Sequence, residues 1–223
     1  MNGMLAHTLL SAGLVLSAGT GFYSFRCEAA PERQVPRVVR DLEHAVTTAD
    51  IEELSNVLKS RPDLVNLSMF GGPPLHIAAK YNQPLVIDYL LKHGADRNAR
   101  GGDRGLNRCN ALHWACLWGS KDAAELLVDE GFAIEDRNDV FNSTPLHWAA
   151  FGSSRVGPSS EHPGDYEGVV RMLIDHGAAV DTVNDHGISA ISVASDSVAK
   201  VLADNRAKKG AHPTTQPAKD GMS

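Results

Sequence analysis

Three histidines stand behind a leucine in a phrase that keeps returning: His76 in PPLHIAAK, His113 in NALHWACL and His147 in TPLHWAAF. An imidazole at a fixed place can act as a general base, activate a nucleophile or ligate a metal. Each task needs company. A base needs a nucleophile beside it and a third group to orient it, and a metal needs several ligands held together. No nucleophile or carboxylate recurs beside the three histidines, and the chain has no Ser/His/Asp set, no Gly-rich phosphate loop and no HExxH. His93 and His176 each precede a glycine, in LLKHGAD and LIDHGAA, a helix-end place that the dipole favours for histidine. Cys27, Cys109 and Cys116 form no CxxC or CxxxC pair, so neither a structural zinc site nor a disulfide framework is supported. The sequence therefore assigns no catalytic residue, no metal and no cofactor, and the repeated histidines read as structural.

The elements that position them follow from the repetition. The phrase begins at residues 42, 75, 112, 146 and 191, with intervals of 33, 37, 34 and 45. A basic period near 33 with insertions is the mark of a stacked repeat. Behind the phrase comes a second apolar stretch at helical spacing: PLVIDYLLKHGAD, KDAAELLVDEGFA and EGVVRMLIDHGAAVD. Each closes on a glycine, which accepts the left-handed backbone at a helix end. The unit is a short helix, a turn, a longer helix, a glycine stop and a polar connector. Pro74 and Pro145 suit a first helical turn, whose N–H groups have no partner. Small residues such as Ala78, Ala115 and Ala149 let neighbouring helices approach closely. The hydrophobic fraction of 43% allows a packed core, and the aromatic fraction of 6% suits helices packed through small side chains.

TPLHWAA in register with LLKHGAD and LIDHGAAVD resembles the ankyrin repeat family over roughly residues 38–204. The resemblance implies an all-α solenoid of about five helix–loop–helix units joined by β-hairpin-like fingers. It also implies that His76, His113 and His147 bond the backbone of the neighbouring loop. Unit boundaries fall near 38–66, 67–99, 100–137, 138–183 and 184–204. The first unit lacks the TP and the histidine, and the last has Ile191, Ser192 and Ser195 in place of Leu, His and Ala. Terminal repeats depart in this way because one face has no neighbour, so the two read as caps of a finished domain. The second helix of the last unit reads as short, and 205–223 as a disordered polar tail.

Residues 8–25, TLLSAGLVLSAGTGFYSF, carry no charge, and 30–37 is a polar linker. The expectation is a secretory signal over 1–29, cut after Ala29, with a membrane anchor over 8–25 as the alternative. Export to a bacterial periplasm or medium follows from it. The net charge of −6 speaks against a nucleic-acid partner.

Function then belongs to surfaces. The two residues after the small pair of each first helix face the groove: Lys80-Tyr81, Leu117-Trp118 and Phe151-Gly152. Tyr81, Trp118 and Phe151 form one row with Leu117 beside it, and Phe70, Leu106 and Phe141 are apolar finger tips. Arg100, Arg104 and Arg108 in the lengthened finger 99–109 supply a basic rim, while a second insertion, 153–165, lies away from the fingers. Exposed aromatic rows mark protein-binding sites. The reading is a monomeric, non-enzymatic scaffold for another protein. A periplasmic inhibitor of a toxin or hydrolase is the alternative, and a histidine-based metal binder or enzyme a distant one.

Overall fold

The computed structural model describes residues 36–68, 72–101, 108–138, 141–156 and 164–210. The segment 1–29 expected to be a signal, nearly all of the linker, Phe70, Arg104, Leu106, most of the 153–165 insertion and residues 211–223 of the tail lie outside them. The described helices pair off in chain order: α1 Arg37–Thr48 with α2 Ile51–Ser60, α3 Pro74–Lys80 with α4 Pro84–Lys92, α5 Ala111–Trp118 with α6 Lys121–Asp129, α7 Pro145–Arg155 with α8 Tyr166–Asp175, and α9 Ala190–Val193 with α10 Asp196–Gly210. A 3₁₀ turn, Pro62–Asn66, follows α2.

Local chemistry sets the ends. Pro74, Pro84 and Pro145 open their helices at positions where an N–H would have no acceptor. Asp50, Asn110 and Asp165 cap the N–H groups of Glu53, His113 and Gly168 at 2.8, 3.1 and 2.8 Å. Gly94, Gly131 and Gly177 end the second helices with φ of 89°, 86° and 96°; the space beside each is open, so backbone angle alone asks for glycine there.

Packing turns the units into layers. α5 lies between α3 and α7, and α7 between α5 and α9; on the other side α6 lies between α4 and α8, with α10 beyond α8. Leu42, Leu75, Leu112 and Leu146, the leucines of the phrase, are all buried, as are Ala45, Ala78, Ala115 and Ala149. Leu90, Leu127, Leu173 and Leu202 fill the outer side of each layer. Burying one such leucine stabilises by roughly 1.5–3 kcal/mol, so the recurring leucine carries much of the stack. Between layers the chain makes short fingers, with antiparallel bridges at Gly101–Cys109 and Val183–Ser189 and no named strand among the described residues. The all-α layered architecture expected of the repeat is the one observed.

The last unit differs from expectation. Its second helix, α10, is 15 residues long and continues to Gly210, past residue 204. Val198, Val201 and Leu202 are buried, which pins this helix against α8, and Arg206 reaches Asp181 at 3.0 Å.

Candidate protein-binding face

The three phrase histidines do the same thing in successive layers. Nε2 of His76 donates to the Cys109 carbonyl at 3.0 Å, that of His113 to Ser143 at 3.2 Å, and that of His147 to Ile188 at 3.1 Å. Each carbonyl belongs to the residue just before the N-cap of the next layer's first helix. Each also accepts the backbone N–H that closes its own finger, from Gly101, Asn138 and Asn184 respectively. The histidine thus locks the next finger at its closing bond. Burial pushes His76 and His113 down to about 4 and lowers His147, so the rings are neutral near pH 7. Committing a ring nitrogen to a carbonyl in the next finger makes each ring a tie between layers.

The other ring nitrogen differs between layers. Thr144 Oγ1 lies 2.9 Å from His147 Nδ1 and donates to it. Asn110 Oδ1 lies 2.7 Å from His113 Nδ1, with its amide nitrogen turned to Asp136 at 2.7 Å; both His113 nitrogens thus face an oxygen, and the single proton of the neutral ring serves one of them at a time. Nδ1 of His76 is buried without a partner, because Pro73 occupies the N-cap and has no donor to give. His93 and His176 cap their helices alike, each giving Nδ1–H to a carbonyl four residues back, Tyr89 at 2.7 Å and Met172 at 2.8 Å.

The aromatic row is a correction: Tyr81 and Trp118 follow their phrase leucines by six places, but Phe151 follows Leu146 by five, the place of Leu117, so the three do not share one register. Tyr81 and Phe151 are exposed, at 36% and 39%. Trp118 packs partly buried against the core, and Lys80 Nζ sits over both neighbouring rings, 4.8 Å from Tyr81 and 4.5 Å from Trp118. Phe151 turns to its own layer, meeting Trp148 edge to face at 6.0 Å. Leu117 is a correction: it is 4% exposed and belongs to the core, not to the face. The reason is the close approach of α7 to α5, where Gly152 lies so near the Leu117 carbonyl that a Cβ would stand 2.1 Å from it. Of the expected basic rim, Arg104 lies outside the described residues and Arg100 is tied within the stack. Arg100 is engaged, forking onto both Asp136 oxygens at 2.8 and 2.9 Å and reaching the Arg108 and Arg137 carbonyls, which ties one finger to the next.

Beyond Phe151 the face opens into a groove of about 390 Å³, lined mainly by Phe141, Trp148, Phe151, Ile188, Arg155 and His186. Phe141, Phe151 and Ile188 are three of the large apolar residues left exposed, at 38%, 39% and 38%. Trp148 is 6% exposed, yet it lines this groove. Sequence reasoning missed Ile188 and Arg155. Ile188 stands in a finger of an atypical unit, and Arg155 enters the face because α7 runs longer than α3 and α5.

Stacked helix pairs, histidine-locked fingers and an apolar inner face define a repeat solenoid. The models of ankyrin repeats match residues 42–138 and 75–157 in arrays of three copies and 141–185 as a single repeat, and the chain belongs to the ankyrin repeat family. It is 32% identical over 131 residues to the E3 ubiquitin-protein ligase XBAT33 of Arabidopsis thaliana, covering 57% of this chain and 23% of that protein. It is 32% identical over 104 residues to inversin of Mus musculus, covering 46% and 8%, and 31% identical over 106 residues to ankyrin repeat and SOCS box protein 6 of Pongo abelii, covering 48% and 22%. The chain therefore spans less than a quarter of the length of these relatives, all of them eukaryotic, and they lend no support to a bacterial source. Ankyrin repeats are protein-binding scaffolds as a class. Among the described residues no helix is long and apolar enough to cross a membrane, and no three His, Cys, Asp or Glu side chains gather to hold a metal ion.

Proposed function

We propose that this chain is a monomeric, non-enzymatic scaffold that binds another protein across the inner face and the finger tips. One observation carries the reading: exposed aromatic and aliphatic side chains, Tyr81, Phe141, Phe151 and Ile188, emerge on first helices and fingers of a rigid stack. Large apolar groups held open to water gain most when a partner covers them. Trp118 is partly buried and packs against the core, so it is a poorer probe than its neighbours. The test is capture from an extract of the source cells with the full chain and with a Tyr81→Ala/Phe151→Ala double variant. The partner should fall away by about thirty-fold or more if these are hot spots. Equal capture by both would place the contact elsewhere.

Export is part of the same proposal, with the uncharged run 8–25 and the small residues before Ala29 in its support. Terminal sequencing of the native protein decides it. A start at residue 30 fits cleavage, a full-length membrane-bound form fits the anchor, and a cytosolic form starting at Met1 rejects both.

A further inference from the structure

We infer that the groove at the end of the inner face receives an extended segment of the partner protein in which a large apolar side chain sits beside a carboxylate. The inference rests on the protein-binding reading above and names what that partner presents.

The apolar part follows from the lining. Phe141, Phe151 and Ile188 come from two fingers and one helix, and all three are held open to water around a single hollow of about 390 Å³. That volume lies in the range of natural ligand clefts and accommodates a bulky side chain. The rings are already propped: Phe141 against His186 at 5.7 Å and Phe151 against Trp148 at 6.0 Å. Little ordering remains to be done when the segment arrives.

The carboxylate follows from charge. The chain as a whole has a net charge of −6, yet among the described residues that line this groove Arg155 is the one permanent charge, with no Asp or Glu beside it. Asp185, next to His186, is turned away to the Asn142 amide at 2.8 Å. Arg155 is exposed at the end of α7, free of the interfinger ties that occupy Arg100. A guanidinium on an apolar rim is the group best shaped to grip a carboxylate in two-point fashion.

A third observation is independent of both. Trp148 is buried, and its Nε1 has no hydrogen-bond partner. Trp114, at the same place one layer earlier, gives its Nε1–H to the Gly101 carbonyl at 3.4 Å. Buried donors are nearly always satisfied. The floor of the groove is thus a place where the free chain leaves a polar group incomplete.

The experiment is selection of random peptides displayed on phage against the full chain, followed by titration of the selected sequence as a synthetic peptide. Peptides with Phe, Trp or Leu next to Asp or Glu should be enriched. Phe151→Ala should weaken the selected peptide by about thirty-fold. Arg155→Glu should weaken it by about tenfold or more, and a peptide with Lys in place of the acid should recover binding to that variant. Both substitutions fall on exposed side chains, so both variants should melt with the parent. Enriched peptides without an acid, or binding indifferent to Arg155→Glu, overturn the inference. Partner capture that depends on Tyr81 and Phe151 but ignores Arg155→Glu keeps the protein-binding reading and overturns this one. A dimer by light scattering that Phe151→Ala turns into monomers makes the occupant a second copy, which overturns it too.

Discussion

His113 Nε2 lies 3.2 Å from the carbonyl oxygen of Ser143, thirty residues along the chain, and that oxygen is the one that Asn138 N–H reaches to close the finger. One atom joins two layers. His113→Ala removes the outside donor and leaves a cavity where a ring was 1% exposed, while Asn138 still serves the carbonyl. The expected loss is about 2–4 kcal/mol, from one buried hydrogen bond and the lost packing. Urea melts of His113→Ala and His147→Ala measure it. Midpoints within error of the parent would mean that the fingers are held by other contacts.

The same burial makes stability depend on pH. His76 and His113 ionise at about 4 in the fold against 6.5 in the free side chain. Below pH 6.5 the unfolded chain takes up protons at these rings that the folded chain refuses. Their contribution is whole above pH 6.5 and is lost as pH falls toward 4. At pH 5 the loss is about 2 kcal/mol for each ring. Melts at pH 7.5 and pH 5 should differ by more in the parent than in His113→Gln, which cannot titrate. An equal difference in both proteins would show that His113 accepts its proton without unfolding.

Pro73 leaves His76 Nδ1 unsatisfied, where Thr144 serves His147. The two N-cap backbones are alike, with φ and ψ of −60° and 157° at Pro73 and −82° and 166° at Thr144. Pro73→Thr should supply the missing hydroxyl at a cap, worth about 1 kcal/mol. Losing the proline offsets this by roughly 0.4–1 kcal/mol through the unfolded chain. The clean comparison is therefore Pro73→Thr against Pro73→Val, in which only the hydroxyl differs. The threonine variant should be the more stable by about 1 kcal/mol in thermal melts.

Gly152 sets how closely α7 meets α5. A methyl group there would stand 2.1 Å from the Leu117 carbonyl and 2.8 Å from the Tyr166 ring. Gly152→Ala should cost at least about 1–3 kcal/mol and push the layers apart. Calorimetry gives the cost, and a rise in tryptophan exposure by fluorescence quenching would report the opening of the face. An unchanged Tm would mean that the helix can slide without penalty.

Much of the fold is legible because the repeat is local. Leu112 and Leu146 are buried by their neighbours one layer away, so a phrase recurring in register already states the packing rule. The histidine role was readable for the same reason, since His76, His113 and His147 keep one place in each unit. The face was harder. Leu117 and Phe151 hold comparable places on their helices, yet one is 4% and the other 39% exposed.

The sequence by itself determines the helix pairs, their glycine and proline ends, the number of layers and the residues that tie one finger to the next, because these depend on spacing within a unit and on adjacent units alone. Tertiary structure decides which side chains of the face stay open. The approach of α7 over Gly152 covers Leu117, the fork of Arg100 onto Asp136 spends a charge that looked available, and the finger bearing Ile188 meets α7 to make a groove from residues far apart in the chain. Exposure is a property of the distances between layers, and those distances come from side chains that no single unit contains.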